Sequence, residues 1–246
     1  MTDAYRFDES STEQAIAYAK IYAGENYSPA METVLKVAFS EKRNLPTFRL
    51  KSSDTILLSG YMKKWVGAYL AGYNNRPSVR TGNCSGTHPD PMAKTILRAR
   101  ISGLEDNLAD KIVARHSLLM TIENNIGELL EEYLSVKLSP LGWYCCWGST
   151  IDAVDFCKAD GSLLQIKTSD NSENSSSSRV RQGTPIGKWF RRFSRRPGVY
   201  NWESLNRILG RPGYVSESDF RAFAEKTIAA NPACIYIAAN HLLNRP

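Results

Sequence analysis

Asp155, Gln165 and Lys167 are residues whose types and spacing suit one reaction, and they stand in the stretch IDAVDFCKADGSLLQIK, residues 151–167. A carboxylate binds a hard divalent ion, and an amide offers its carbonyl oxygen as a further ligand. An ammonium steadies an attacking water and the charge that builds on a phosphate. Brought to one spot, the three suit metal-assisted hydrolysis of a phosphodiester. The element that must bring them there reads as a β-hairpin. Ile151 to Phe156 is rich in β-branched and apolar residues, Asp160-Gly161 is a strong turn signal, and Leu163 to Ile166 resumes an apolar run. Asp155 then falls in or at the end of one strand. Gln165 and Lys167 share a face of the next, with Ile166 turned toward the core. Taken alone, such a hairpin is equally a solvated edge, so a further acid and a scaffold are required.

The further acid is sought on a helix expected over residues 115–137, RHSLLMTIENNIGELLEEYLSVK. Leu119, Ile122, Ile126, Leu129, Leu130, Tyr133 and Leu134 recur at helical spacing and mark one face as core. At about 100° per residue, Glu123 lies between Leu130 and Leu134 on the flank of that stripe. Glu131 follows along the same edge, while Glu128 and Glu132 fall on the opposite, solvated face. Burying an unpaired carboxylate is costly, so an acid on the apolar flank either faces a metal or a cation, or reaches out to water. Glu123 is the first candidate and Glu131 the second.

Downstream of the hairpin, TSDNSENSSSSRVR supplies short hydrogen-bonding side chains followed by two arginines at alternate positions. Asn pairs with adenine and Arg with guanine, while Ser and Lys commonly take phosphates. The segment is either a flexible linker or a set of base readers leaving an active site. In the next run, TPIGKWFRRFSRRPGVYNW, five cations are interleaved with Trp189, Phe190 and Phe193, as suits a phosphate track anchored by aromatic residues. The DNA-binding candidates are Asn171, Ser172, Asn174, Arg179, Arg181, Lys188, Trp189, Arg191 and Arg192.

The order of a Glu-bearing helix, a strand, an Asp and then x-Lys resembles the PD-(D/E)xK nuclease superfamily, with Gln165 standing at the D/E position. An amide adds no negative charge, so metal affinity leans harder on Asp155 and on the helix acid. Within that superfamily, ENNIG with LLEEYL, GWYCCWG, VDFC, LLQIKTSDNSENSSSSRVRQGT and KWFRR followed by NW are similar to the SinI type of Type II restriction endonuclease, which cuts GGWCC sites. The resemblance covers about a third of the chain, from Glu123 to about Asn206. It implies an α/β (α+β) fold with a mixed central sheet flanked by helices. It also implies Mg²⁺-dependent cleavage of double-stranded DNA with one or two ions, Asp155, Gln165, Glu123 and Glu131 as metal ligands, and Lys167 as charge stabiliser. A two-fold target asks for a two-fold protein, so a homodimer is expected, with a cognate DNA methyltransferase as genetic partner. Two other readings stay open: a metal-independent, sequence-specific DNA-binding protein that has lost its chemistry, and a Mrr-like nuclease selective for structure or modification.

The rest of the chain is read as scaffold. With 246 residues, 42% hydrophobic and 23% charged, one nuclease domain over 1–246 is expected, divisible into a helical N-terminal subdomain over 1–112 and a catalytic core over 113–246. The net charge of +6 fits an anionic partner. Five cysteines, two of them adjacent, form no secreted disulfide framework. No signal peptide or long apolar run stands out, so a cytoplasmic protein with no membrane contact is expected. Helices are expected over 12–23 with Thr12 as cap, around Glu32 to Phe39, over Thr55 to Tyr73 and over 216–230, with a buried strand at Cys234 to Ala239. Residues 74–91 read as a long loop, in which Cys84 and His88 have no second pair at zinc spacing. His116 and His241 are isolated and taken as structural.

Overall fold

The computed structural model describes residues 7, 9–48, 57–82, 90–171 and 186–236. Three helices open it: α1 (Thr12–Ala23), α2 (Pro29–Ser40) and α3 (Leu58–Asn74). Ser28 caps α2 by accepting from the Met31 N–H, with Pro29 at the first helical position, where its missing donor costs nothing. The cap expected at Thr12 differs. Ser11 holds the cap position without a side-chain bond, and the Thr12 hydroxyl donates to the Glu9 carbonyl.

Two further helices precede the sheet, α4 (Pro91–Arg100) and α5 (Asp106–Leu138). The expected helix at 115–137 is thus the later portion of a 33-residue rod about 50 Å long. Asp90 caps α4, and Lys94 and Arg98 reach Asp106 and Asp110 to tie α4 to the start of α5.

Four strands form one mixed sheet in the order β1 (Trp143–Cys145), β2 (Phe156–Lys158), β3 (Leu163–Ser169), β4 (Ile186–Arg192). The first three are antiparallel neighbours, and β4 lies parallel to β3. The hairpin turn falls at Asp160-Gly161, where Gly161 takes a φ of 87° and donates to the Lys158 carbonyl. The upstream strand is shorter than expected. Residues 151–155 form a turn, with Ala153 at positive φ, and β2 begins only at Phe156. The two remaining helices are α6 (Trp202–Leu209) and α7 (Glu217–Ala230), the latter capped by Ser216 accepting from the Asp219 N–H. The strand expected at Cys234 to Ala239 is not formed in its described portion: Cys234 ends a 3-10 turn begun at Pro232, and positions 237–239 lie outside the described residues.

A single hydrophobic cluster runs from Ala15 of α1 through Trp65 of α3 and Leu134 of α5 to Phe156, Trp189 and Phe220. The α3 helix is drawn against the turn after β1 so closely that a Cβ on Gly148 would lie 2.0 Å from the Ala68 carbonyl oxygen. Among the described residues no helix is long and apolar enough to cross a membrane.

Candidate active site

The turn before β2 is held from three directions, and this fixes Asp155. Ile151 and Val154 are buried in the core, Trp65 Nε1 donates to the Thr150 carbonyl at 2.9 Å, and the Asp152 N–H donates to the Asn44 carbonyl. Asp155 itself donates its N–H to the Leu164 carbonyl and accepts from the Cys146 N–H on its own carbonyl. Its carboxylate Oδ2 accepts the Ile166 N–H at 2.7 Å. The side chain is therefore clamped onto β3, where β2 stops pairing and β3 continues beside β4.

The acid that meets Asp155 is Glu131. Its Oε1 accepts the Cys145 thiol at 3.3 Å, and burial followed by the Asp155 charge holds its carboxyl up at about 7. Burial also lifts Asp155, to about 6, against the opposing pull of the Ile166 N–H and the Lys167 ammonium. The two titrate as a pair: Asp155 ionises first, and its charge then resists ionisation of Glu131. The Cys145 thiol, buried beside Glu131, is pushed well above its ordinary range and stays a donor. Glu123 is exposed and lies eight residues before Glu131, about 12 Å along the helix axis, so the structure does not bring it to this spot.

Gln165 is 6% exposed, and no described residue hydrogen-bonds its side-chain amide. Paired residues on neighbouring strands share a face, so the register sets Gln165, Lys167 and Ser169 of β3 beside Lys188, Phe190 and Arg192 of β4. Lys188 and Arg192 are exposed there, and Lys167 is half-buried next to Asp155. The other face of β4 turns inward. Trp189 is 2% exposed, packs against Trp202 and donates its Nε1 to the Asn201 carbonyl. Arg191 is buried and donates to both carboxylate oxygens of Glu217, at 2.8 and 2.9 Å. Neither Trp189 nor Arg191 is available to DNA in this arrangement, because period-2 alternation places them toward α6 and α7. Asn171 is exposed just beyond β3, while Ser172, Asn174, Arg179 and Arg181 lie outside the described residues. Cys84, His88 and His241 lie outside them as well.

The acids expected on the solvated face of α5 are also engaged. Glu132 is buried and accepts from the Ser78 N–H at 3.0 Å and from its hydroxyl, and Glu128 pairs with Arg80. Arg80 also reaches Asn125, and its carbonyl accepts from the Asn231 amide. No local signal in residues 75–82 announced this strap, because its partners stand more than forty positions away. A Cβ on Gly127 would lie 3.7 Å from the Thr168 methyl, an ordinary contact, where α5 passes β3.

A model of the SinI restriction endonuclease family matches residues 57–230. The chain belongs to the SinI restriction endonuclease family. Over 144 residues it is 44% identical to Type II restriction enzyme SinI of Salmonella infantis, covering 56% of this chain and 61% of that protein. It is 41% identical to Type II restriction enzyme Eco47I of Escherichia coli over the same length, with the same shares of each chain. The matched region thus spans under two thirds of these curated relatives. The family match takes in α3, the Asp155 turn, Gln165, Lys167, Glu131 and all of β4.

Proposed function

We propose that this chain is a site-specific Type II restriction endonuclease that hydrolyses double-stranded DNA at the place where Asp155, Glu131, Gln165 and Lys167 converge, in a PD-(D/E)xK arrangement with Gln at the D/E position. The observation that carries this reading is the pair of half-buried carboxylates, Asp155 and Glu131. Burial raises Asp155 to about 6, and burial together with the Asp155 charge raises Glu131 to about 7, so the site is short of positive charge. No described residue hydrogen-bonds the Gln165 amide, which stands across from Asp155 in the continued register of β2 and β3. Among the described residues no group of three or more His, Cys, Asp and Glu is placed to hold a metal ion by itself. Two carboxylates and an amide oxygen suit a hard ion such as Mg²⁺, which keeps several waters and needs few protein ligands.

Asp155 and Glu131 would hold the ion with Gln165 as the neutral oxygen ligand. A bound Mg²⁺, one ion or two, would supply Lewis-acid stabilisation of the phosphate and an acidified water. Lys167, held beside Asp155, donates to the attacking water or to the phosphate oxygen on which charge collects. Lys188 and Arg192, on the same face, hold flanking phosphates of the duplex. Asn171 at the end of β3 starts the segment assigned to base reading, and GGWCC is the proposed target from the resemblance of that segment. A cytoplasmic enzyme protected by a cognate methyltransferase completes the proposal.

The test is incubation of purified protein with plasmid and phage DNA, in Mg²⁺ and in EDTA, beside Lys167→Ala. Discrete Mg²⁺-dependent fragments with ends mapping to GGWCC, lost in the variant, are expected. DNA binding without scission under any divalent metal would overturn the catalytic assignment.

A further inference from the structure

A cleft of about 590 Å³ opens between the start of α2, the end of α3 and the junction of α5 with β1, at the sheet edge opposite β4. That volume is typical of a small-molecule site. Its wall is aromatic, with Tyr69, Tyr73, Trp143 and Trp147 lining it beside Tyr27 and Tyr144. Gly72 of α3 lies too close to the Gly148 backbone to carry a Cβ, so backbone contact sets Tyr73 edge-on to Trp147. Three of these rings carry donors that bind nothing. Tyr69, Trp143 and Trp147 are 4%, 6% and 7% exposed, and no described residue accepts from the Tyr69 hydroxyl or from either indole N–H. Buried donors of this kind ordinarily have a partner. The Arg76 guanidinium lies 3.6 Å from the Tyr73 ring centroid and 5.9 Å from that of Trp147, with its Nε donating to the Tyr73 carbonyl. It is half-buried and forms no ion pair with a described residue. Lys158 lies over Trp143 and Lys20 over Tyr27, and the acid among the lining residues is Glu25, exposed at the rim with Asn26.

We infer that this cleft binds a nucleoside monophosphate, its base against the aromatic wall and its phosphate on Arg76. Each part of that ligand matches a feature of the cleft. A base presents a flat π face, which stacks on Tyr and Trp rings whatever its identity. Its ring nitrogens and carbonyl oxygens accept from the Tyr69 hydroxyl and the indole N–H groups, and its exocyclic amino group donates to Glu25 or Asn26 at the rim. The phosphate takes the two terminal nitrogens of Arg76, whose Nε is already engaged by Tyr73. A purely apolar ligand would leave the three buried donors unmet, and a cationic one would meet Arg76. The same chemistry is offered by a free nucleotide and by an unpaired nucleotide of a DNA strand, and titration separates the two. Gln165 and Lys167 are not part of the wall, whereas Cys145 lines the cleft and also reaches Glu131. Binding there does not depend on the nuclease reading.

Isothermal titration calorimetry of the full chain in EDTA tests the inference, with dGMP, dAMP, deoxyguanosine and a short single-stranded oligonucleotide of mixed sequence as probes. Saturable binding is expected. Arg76→Gln raises the dissociation constant of the monophosphates about tenfold and leaves deoxyguanosine within about twofold, since only the phosphate contact is lost. Tyr69→Phe weakens nucleotide and nucleoside alike, about fivefold, as the loss of one hydrogen bond should. Lys167→Ala, at the candidate active site, changes neither. Circular dichroism of Tyr69→Phe and Arg76→Gln matches the parent, because each keeps the shape of the residue it replaces or stands half in solvent. Binding of the monophosphates identifies a free nucleotide as ligand; binding of the oligonucleotide alone, weakened by the same two substitutions, identifies an unpaired nucleotide of a strand. No binding of any probe at millimolar concentration, binding indifferent to Arg76→Gln and Tyr69→Phe, or binding abolished by Lys167→Ala would each overturn the inference. Absence of DNA cleavage with nucleotide binding intact would strike the nuclease reading alone.

Discussion

The two halves of α5 share one helix and one apolar period, yet they have opposite fates. From Asp106 to Asn124 the stripe is largely solvent-exposed and Glu123 is solvated. From Asn125 to Leu138 the stripe is core, and the acids are engaged: Glu132 by Ser78, Glu128 by Arg80 and Glu131 by Cys145 and Asp155. The difference does not come from the helix. It comes from what the rest of the chain lays against it, the strap at 75–82 on one side and the sheet with α6 and α7 on the other. An acid becomes a site only where another element removes its water and supplies a neighbour.

The largest test of this contrast is catalytic. Glu131→Gln and Asp155→Asn are each expected to slow plasmid cleavage at least about 10³-fold, near 4 kcal/mol of barrier. Glu123→Gln, with enzyme in excess, stays within about threefold. The reverse ranking would put the active acid in the first half of the helix and break the comparison.

Packing separates the halves next. Leu134, fully buried, is expected to cost about 2–5 kcal/mol when cut to Ala, against about 0.5 kcal/mol or less for Met120→Ala, which is 45% exposed. Urea denaturation of both variants reads this directly, and equal losses would mean that the first half is enclosed in solution.

A smaller effect follows from the carboxyl pair. Asp155 and Glu131 hold protons more tightly when folded than their ordinary values of 3.8 and 4.5 allow. The native state therefore binds more protons than the unfolded one, and metal-free protein loses stability as pH rises from about 4 to about 7. Glu131→Gln removes part of that loss. In EDTA it should unfold at higher urea than the parent at pH 8, by about 1–3 kcal/mol, with the gap closing toward pH 5. Divalent-ion affinity of the parent should rise over the same interval, because the ion competes with the protons. An unchanged or lower stability of Glu131→Gln at pH 8 would show that the pair is already compensated.

Local chemistry was sufficient for much of this. The DG turn, the alternation that sets Gln165 beside Lys167, the caps at Ser28 and Ser216, and the stripe on α5 depend on contacts a few residues apart, so they are legible in the amino-acid order. So were the residue types that the proposed hydrolysis would use. Strand β4 was read only as a charge run, because its parallel partner β3 lies across a connection that carries no pairing signal. Alternation then sent Arg191 and Trp189 inward and left Lys188 and Arg192 outside. The choice of Glu131 over Glu123 also required the folded chain. Both acids flank the same apolar stripe at helical spacing, and only the position at which the Asp155 turn meets α5 distinguishes them. Sequence alone determined which groups were available and what they could do together. Tertiary structure decided which were buried, because desolvation and charge coupling depend on neighbours that the chain brings from far away.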